Sequence, residues 1–82
     1  MPEYVLAYQH PRGPSPTGDI SFEKRFLRVT QPNDSAAIRW ARDTVPVRFC
    51  LESGGRQYLA CGMALWRVAA PTHPLIWEQE KQ

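Results

Sequence analysis

The two cysteines of this 82-residue chain are its most reactive side chains, because a thiol can be a redox partner, a metal ligand or a nucleophile. Ten residues separate Cys50 from Cys61, a spacing that fits no Cys-x-x-Cys redox motif. Two thiols and two distant histidines also make a poor ligand set for a tetrahedral zinc site. We therefore expect reduced thiols, with no metal, no cofactor and no catalytic role.

The turn between the cysteines decides whether a disulfide can form. With Gly54-Gly55 as the turn, Cys50 lies diagonal to Cys61. With Gly55-Arg56 as the turn, the two cysteines oppose each other and approach the Cα separation of about 5.5 Å that a disulfide needs. Both registers place the thiols on one face. The sequence leaves the register open, so a disulfide remains the alternative to reduced thiols.

The histidines and carboxylates offer no second catalytic constellation. His10 and His73 each precede a proline, and nothing in their spacing orients either one as a base toward a cysteine. The acidic residues are scattered, and Asp34 is better placed to cap a helix, as is its neighbour Ser35. The glycine pair at 54–55 lacks the lysine and helix that follow a phosphate-binding loop. The sequence predicts a protein that is not an enzyme.

Size and composition indicate a single globular domain, 1–82. Hydrophobic residues make up 43% of the chain and charged residues 22%, which is typical of a folded protein. No signal-like segment follows Met1, and no apolar run approaches the ~20 residues that span a membrane. We expect a soluble, cytoplasmic protein with no membrane partner. Because a core of this size is marginal, self-association or a partner surface would stabilise it.

The apolar pattern predicts an α+β fold of the order β-β-α-β-β, with one short helix on one face of a small antiparallel sheet of four to five strands. The second strand breaks its alternation, so we expect either a bulge near Arg25 or partial cover of both its faces. Pro46 is expected to end the helix. The predicted elements are strands at Tyr4–Gln9 and Ile20–Thr30 around a Pro/Gly-rich loop at 10–19, a helix at about Ser35–Asp43, strands at Val47–Glu52 and Gln57–Val68, a candidate fifth strand at Leu75–Glu78, and a polar tail at 79–82.

The long fourth strand predicts which sheet face the helix covers. Ala60, Gly62 and Ala64 alternate as small residues and would form a trough for the helix, although Gly62 is also a candidate bulge. The opposite face would then expose more apolar surface than a small monomer usually does. Its cover would be the folded-back C-terminal segment, a second copy or a larger partner.

The leading hypothesis is a non-enzymatic protein-binding module, a small adaptor or inhibitor. It would dock the face not covered by the helix on a larger protein or on a second copy in a homodimer. The expected interface consists of apolar anchors and an arginine rim: Leu59, Met63, Leu65 and Trp77, with Arg48 and Arg67.

The alternative hypothesis is a nucleic-acid-binding protein. The net charge of +2 is weak for such a protein, and aromatic residues at strand spacing usually belong to the core. Phe22 and Phe26 nevertheless interleave with basic residues, as they do in base-stacking platforms. The basic surface would consist of Lys24, Arg25, Arg28, Arg39 and Arg42.

Overall fold

The computed structural model of the protein describes residues 1–69 and 71–79. Its elements are β1 (Glu3–Arg12), β2 (Ser21–Thr30), α1 (Asp34–Arg39), a π-helical turn (Trp40–Thr44), α2 (Val45–Arg48), β3 (Leu51–Ser53), β4 (Arg56–Tyr58), β5 (Cys61–Arg67) and β6 (Leu75–Glu78). The main sheet is antiparallel with the order β2-β1-β5-β6, and β3 pairs with β4 in a second, two-stranded sheet. The predicted α+β class is confirmed, as is the last strand. Most of the predicted tail, 80–82, lies outside the described residues.

The β1–β2 hairpin is longer and more regular than predicted. Its pairing runs without a shift from Glu3 opposite Thr30 to Arg12 opposite Ser21, so the predicted bulge near Arg25 is wrong. Leu27 and Val29 are half-buried, while the side chains between and before them are largely exposed. The broken alternation therefore reflects a strand with apolar residues on both faces.

The helical segment begins at an asparagine cap and continues past a proline. The Asn33 side chain accepts a hydrogen bond from the Ala36 N–H at 2.8 Å, so the cap is neither Asp34 nor Ser35 as predicted. Pro46 has no N–H to donate, and its ring would clash with the carbonyl four residues earlier in a regular helix. The wider π-helical turn just before it takes the chain past this clash. The strand predicted from Val47 is therefore wrong, because that residue is helical.

A small hairpin follows the helix. Gly54 and Gly55 form its turn with φ of 59° and 76°, the left-handed conformations that a type I′ turn requires. Ser53 opposes Arg56 across this turn, so the first of the two predicted registers is correct. The predicted strand over 57–68 is divided, because β4 belongs to this hairpin and β5 to the main sheet.

Gly62 shifts the side-chain alternation just before the main part of β5. Its φ is +59°, and the pairing of β1 with β5 is displaced at this point, as expected for a bulge. A regular strand would place Ala60 on the face opposite Met63 and Leu65. The bulge brings all three residues into the same core.

The core lies between the helical segment and one face of the main sheet. Ala37 and Ala41 are fully buried, and their short side chains let the helix approach the larger residues of the sheet. The sequence predicted that Ala64 faces the helix as part of a trough of small residues. This prediction is wrong, because side chains alternate along a strand and Ala64 lies on the opposite face from the buried Leu65. The core contains Tyr4, Leu6, Tyr8, Ala37, Ala41, Val45, Ala60, Met63 and Leu65.

Candidate functional site

Two rows of side chains cross the sheet face opposite the helix, which we call the open face. Residues directly opposed in an antiparallel sheet share a face. The neighbouring residues Leu6 and Leu65 pair with each other and point into the core, so the rows that alternate with them point away from it. The two rows are Phe26, Ala7, Ala64 and Glu78, and Arg28, Val5, Trp66 and Leu75.

Large apolar side chains of the open face are exposed. Phe26 is 66% exposed, Leu75 48% and Phe22, on the same face of β2, 46%. Beside Phe26 lies a shallow groove of about 570 Å³. Exposed apolar clusters of this kind are typical of interaction surfaces. The groove is lined by Val5, Phe26, Arg28, Trp66, Val68 and His73.

The charged groups of the open face are segregated by strand. On β2, the Lys24 ammonium lies 5.7 Å from the centre of the Phe26 ring, within range of a cation–π attraction. Arg28, on the same strand, donates a hydrogen bond to the Glu3 carboxylate. Glu78 lies on β6, at the opposite edge of the sheet. Glu3 has the same parity on β1 as Val5 and so lies on the open face too. The open face therefore carries Lys24 and a mutually neutralising Arg28–Glu3 pair on one side and Glu78 on the other.

The residues predicted to form the protein interface do not form one free surface. Met63 and Leu65 are 1% and 0% exposed, and Trp77 packs against the same core. The predicted position of Met63 and Leu65 on the uncovered face is wrong, because the bulge at Gly62 turns this part of β5 toward the helix. Trp77 lies on the same covered face because it opposes Leu65. Leu59 is 43% exposed but lies between β4 and β5, outside the two rows.

The two arginines of the predicted rim also lie apart from the open face. The Arg48 guanidinium lies 5.8 Å from the centre of the Phe49 ring, at the end of α2. Arg67 opposes the buried Tyr4 and donates a hydrogen bond to Asp34 at 2.9 Å. Both guanidinium groups therefore engage residues on the helix side of the sheet.

The predicted nucleic-acid surface is divided between the two sides of the sheet. Lys24 and Arg28 lie on the open face, with Phe22 and Phe26 at alternating positions. Arg25 points to the other face of β2 and donates to Glu23 at 2.9 Å. The remaining two residues, Arg39 and Arg42, belong to the helical segment on the covered side.

A hydrogen-bonded network ties the start of α1 to the sheet. The Tyr4 hydroxyl donates to one Asp34 oxygen at 2.7 Å, and Arg67 donates to the other at 2.9 Å. Burial, followed by the hydrogen bond to Asp34, raises the pKa of Tyr4 to about 12. Asp34 thus anchors the helix to β1 and β5, which leaves the backbone cap to Asn33.

The cysteines and histidines are engaged locally. Cys50 and Cys61 are free thiols, and the Gln57 amide lies 3.4 Å from the Cys50 sulfur. His10 Nδ1 donates to the Pro11 carbonyl at 2.8 Å. Within residues 1–69 and 71–79, no cluster of three or more histidine, cysteine or acidic side chains is arranged to hold a metal ion. In the same part of the chain, no helix is long and apolar enough to cross a membrane.

Comparison of this chain with protein-family models, curated proteins and solved structures found no match. The candidate site therefore rests on its geometry, and three of its residues, Val5, Trp66 and Leu75, did not enter the sequence-based prediction of an interface. The available signal was the β2 pattern, in which Leu27 and Val29 supply one apolar face. Aromatic residues that alternate with Lys24 and Arg28 then belong to the other face.

Proposed function

We propose that this protein is a non-enzymatic protein-binding module that docks through its open face. The observation that carries the proposal is the 66% exposure of Phe26 on a face that also presents Phe22 and Leu75. Burial of apolar surface drives most protein association. An aromatic side chain beside a groove is the kind of anchor that dominates binding energy at interfaces.

The surroundings of Phe26 support a protein as the partner. Ala7 and Ala64 follow it in the same row. Ala7 is only 3% exposed, but the half-buried Ala64 has a short side chain that leaves room for a partner's side chain. Charged residues stand at the edges of the face rather than in its centre, an arrangement typical of protein interfaces. The partner would be a larger protein or a second copy of this chain.

The cellular setting forms part of the same proposal. Free thiols at Cys50 and Cys61 are compatible with a reducing, cytoplasmic compartment. In that setting the module would act as an adaptor or an inhibitor. Its open face would bind a surface of its partner, and an inhibitor would block that surface.

The test compares two substitutions of equal chemistry. Phe26→Asp places a charge on the open face, whereas Val47→Asp places one on α2, where Val47 is 62% exposed. Each variant would serve as bait in its native host, and each recovered protein would be purified and its affinity measured by calorimetry. We expect a partner that binds the wild type and Val47→Asp equally and binds Phe26→Asp at least tenfold more weakly.

Equal affinity of every partner for both variants would overturn the proposal. Circular dichroism of Phe26→Asp shows whether the variant folds. If it does not, Phe26→Ser provides a smaller change at the same exposed position. Self-association of the wild type counts as partner binding in this experiment.

One observation favours single-stranded nucleic acid as a second candidate partner. Phe22, Lys24, Phe26 and Arg28 alternate along one face of β2, which combines stacking and phosphate-binding groups. The ion pair of Arg28 with Glu3 weakens this candidate because it neutralises part of the basic strip. Its test is the affinity for labelled oligonucleotides at rising salt concentration, which should fall steeply if phosphates are bound. Absence of binding at low salt would exclude it.

A further inference from the structure

We infer that the outer edge of β2 binds an extended segment of the partner protein, which adds to the sheet as a further strand. Edge binding rests on the proposed function and deepens it by naming the chemistry of the partner segment. Three observations carry it: the backbone groups that β2 turns outward, the contrast between the two edges of the main sheet, and the side chains along β2.

The outward-facing backbone groups of β2 follow from one hydrogen bond. In an antiparallel pair, opposed residues alternate between those that exchange both backbone hydrogen bonds and those that exchange none. The Gln31 N–H donates to the Pro2 carbonyl at 3.2 Å, and this pair continues the β1–β2 register. The odd-numbered residues of β2 therefore bond to β1, and the even-numbered ones point their N–H and C=O groups away from it. These outward residues are Phe22, Lys24, Phe26, Arg28 and Thr30.

The two edges of the main sheet differ in how they are protected against strand addition. β2 is ten residues long, contains no proline and pairs with β1 without a shift. β6 is four residues long, follows Pro74 and has a shifted register. Short strands, prolines and bulges are the usual means by which proteins prevent a further strand from pairing. The β2 edge lacks all three, so it presents a regular row of donors and acceptors to an extended peptide.

The charges of β2 select the kind of strand that can add. In the two antiparallel registers of fullest overlap, a second β2 would oppose Arg25 to its own counterpart or Lys24 to Arg28, so like charges would meet. Arg25 is already paired with Glu23, and Arg28 with Glu3. Lys24 has no carboxylate partner within the described part of the chain. An acidic residue of the added strand would therefore lie opposite Lys24.

The neighbours of Lys24 define the rest of the partner segment. Phe22 and Phe26 stand on either side of it along the open face and are 46% and 66% exposed. Apolar residues of an added strand would lie beside these rings, because directly opposed side chains of adjacent strands are in contact. The partner segment is thus an extended chain in which an acidic residue lies between two apolar ones, with one residue in each gap. This pattern is the same in both chain directions.

Proline substitution separates the contribution of the backbone from that of the side chain. Lys24→Pro removes an N–H that points away from β1, so the β1–β2 hydrogen bonds remain, and edge strands tolerate proline at such positions. Lys24→Ala removes the same side chain but keeps the N–H, and it is the matched control. The probe is a set of peptides of about ten residues, the length of β2, selected on the wild type from a random library displayed on phage.

We expect the selected peptides to share the pattern apolar-x-acidic-x-apolar. They should bind Lys24→Ala about threefold more weakly than the wild type, because one exposed ion pair is lost. They should bind Lys24→Pro about tenfold more weakly still, because a backbone hydrogen bond is lost and a carbonyl of the peptide is left without its donor. Circular dichroism shows whether Lys24→Pro folds. Equal affinity of a folded Lys24→Pro and Lys24→Ala would overturn edge binding, as would a library that yields no binding peptide.

A second measurement needs no variant of the protein and decides the case if Lys24→Pro does not fold. Each amide of the best peptide is methylated in turn. We expect binding to weaken at every second position, because an added strand turns alternate N–H groups toward β2. Losses that do not alternate would overturn the added strand.

Failure of edge binding and failure of the proposed function give different results. A partner protein that binds Phe26→Asp weakly but binds Lys24→Pro and Lys24→Ala equally would overturn edge binding and leave the proposed function standing. If no partner distinguishes Phe26→Asp from Val47→Asp while library peptides show the alternating pattern, edge binding stands and docking through the open face is overturned.

Discussion

The two faces of the main sheet both carry large apolar side chains, but they differ in what lies over them. On the covered face, Leu6 and Leu65 are fully buried beneath Ala37 and Ala41. On the open face, Phe26 keeps most of its surface exposed. Apolar content alone therefore does not decide which face is covered. The helix lies where its own small residues allow close approach and where the bulge at Gly62 concentrates the large side chains of the sheet.

The largest expected contrast between the faces comes from one substitution made on each. Leu65→Ala removes a fully buried side chain and should lower the free energy of unfolding by about 2–5 kcal/mol, because it leaves a cavity. Leu75→Ala on the open face should change it by no more than about 0.5 kcal/mol. Urea denaturation at concentrations where the chain is monomeric measures both values. Equal losses would show that the two faces are equally covered.

The second contrast concerns the network at the edge of the covered face. Asp34→Ala removes the acceptor of the buried Tyr4 hydroxyl, and we expect a loss of about 1–2 kcal/mol in the free energy of unfolding. Asp43→Ala is the matched control on the same helical segment, since Asp43 bonds only to its exposed neighbour Arg42 among the hydrogen bonds of the described residues. The melting temperature of Asp43→Ala should be close to that of the wild type, whereas that of Asp34→Ala should be lower. A control that melts as low as Asp34→Ala would refute a specific role for the network.

The third contrast tests the bulge at Gly62, which determines which side chains of β5 face the helix. Gly62→Ala puts a Cβ on a residue with φ of +59° and within 3.1 Å of the Gln9 side chain. We expect a loss of about 1–2 kcal/mol from the left-handed backbone and the close contact. Gly55→Ala has a similar φ of +76° but meets open space, so its loss should be smaller. Thermal melting compares the two, and a larger loss at Gly55 would contradict the role assigned to Gly62.

The bulge also shows how far the sequence could predict this fold. The hairpin β1–β2, the helix and the glycine turn follow from local signals that short-range physics explains. The covered face does not, because the alternation of β5 depends on whether Gly62 is an ordinary strand residue or a bulge. Regular alternation without a bulge predicts that Met63 lies on the uncovered face. That assumption put both Met63 and the predicted interface on the wrong face.

The extent of the helix was unpredictable for a similar reason. Pro46 usually ends a helix, and the alternating residues after it fit a strand equally well. The π-helical turn at Trp40–Thr44 lets the helix pass the proline, and Val45, the residue after that turn, is fully buried in the core. Such tertiary support is absent from a local pattern. The general hypothesis of an uncovered, interacting face could be formed from sequence, whereas its residues could not.

The last contrast is a difference in how steeply the melting temperature falls at alkaline pH, at the same edge of the covered face. The pKa of Tyr4 is raised from 10.0 to about 12 in the folded protein. Because the folded-state pKa is the higher one, its contribution to stability is complete below pH 10 and is lost as the pH rises toward 12. The melting temperature of the wild type should therefore fall more steeply in this window than that of Tyr4→Phe, which has no hydroxyl to ionise. Parallel curves for the two proteins would mean that the hydroxyl ionises equally readily in the folded and unfolded chain. The Tyr4 hydroxyl would then be neither buried nor bonded to Asp34 in the folded protein.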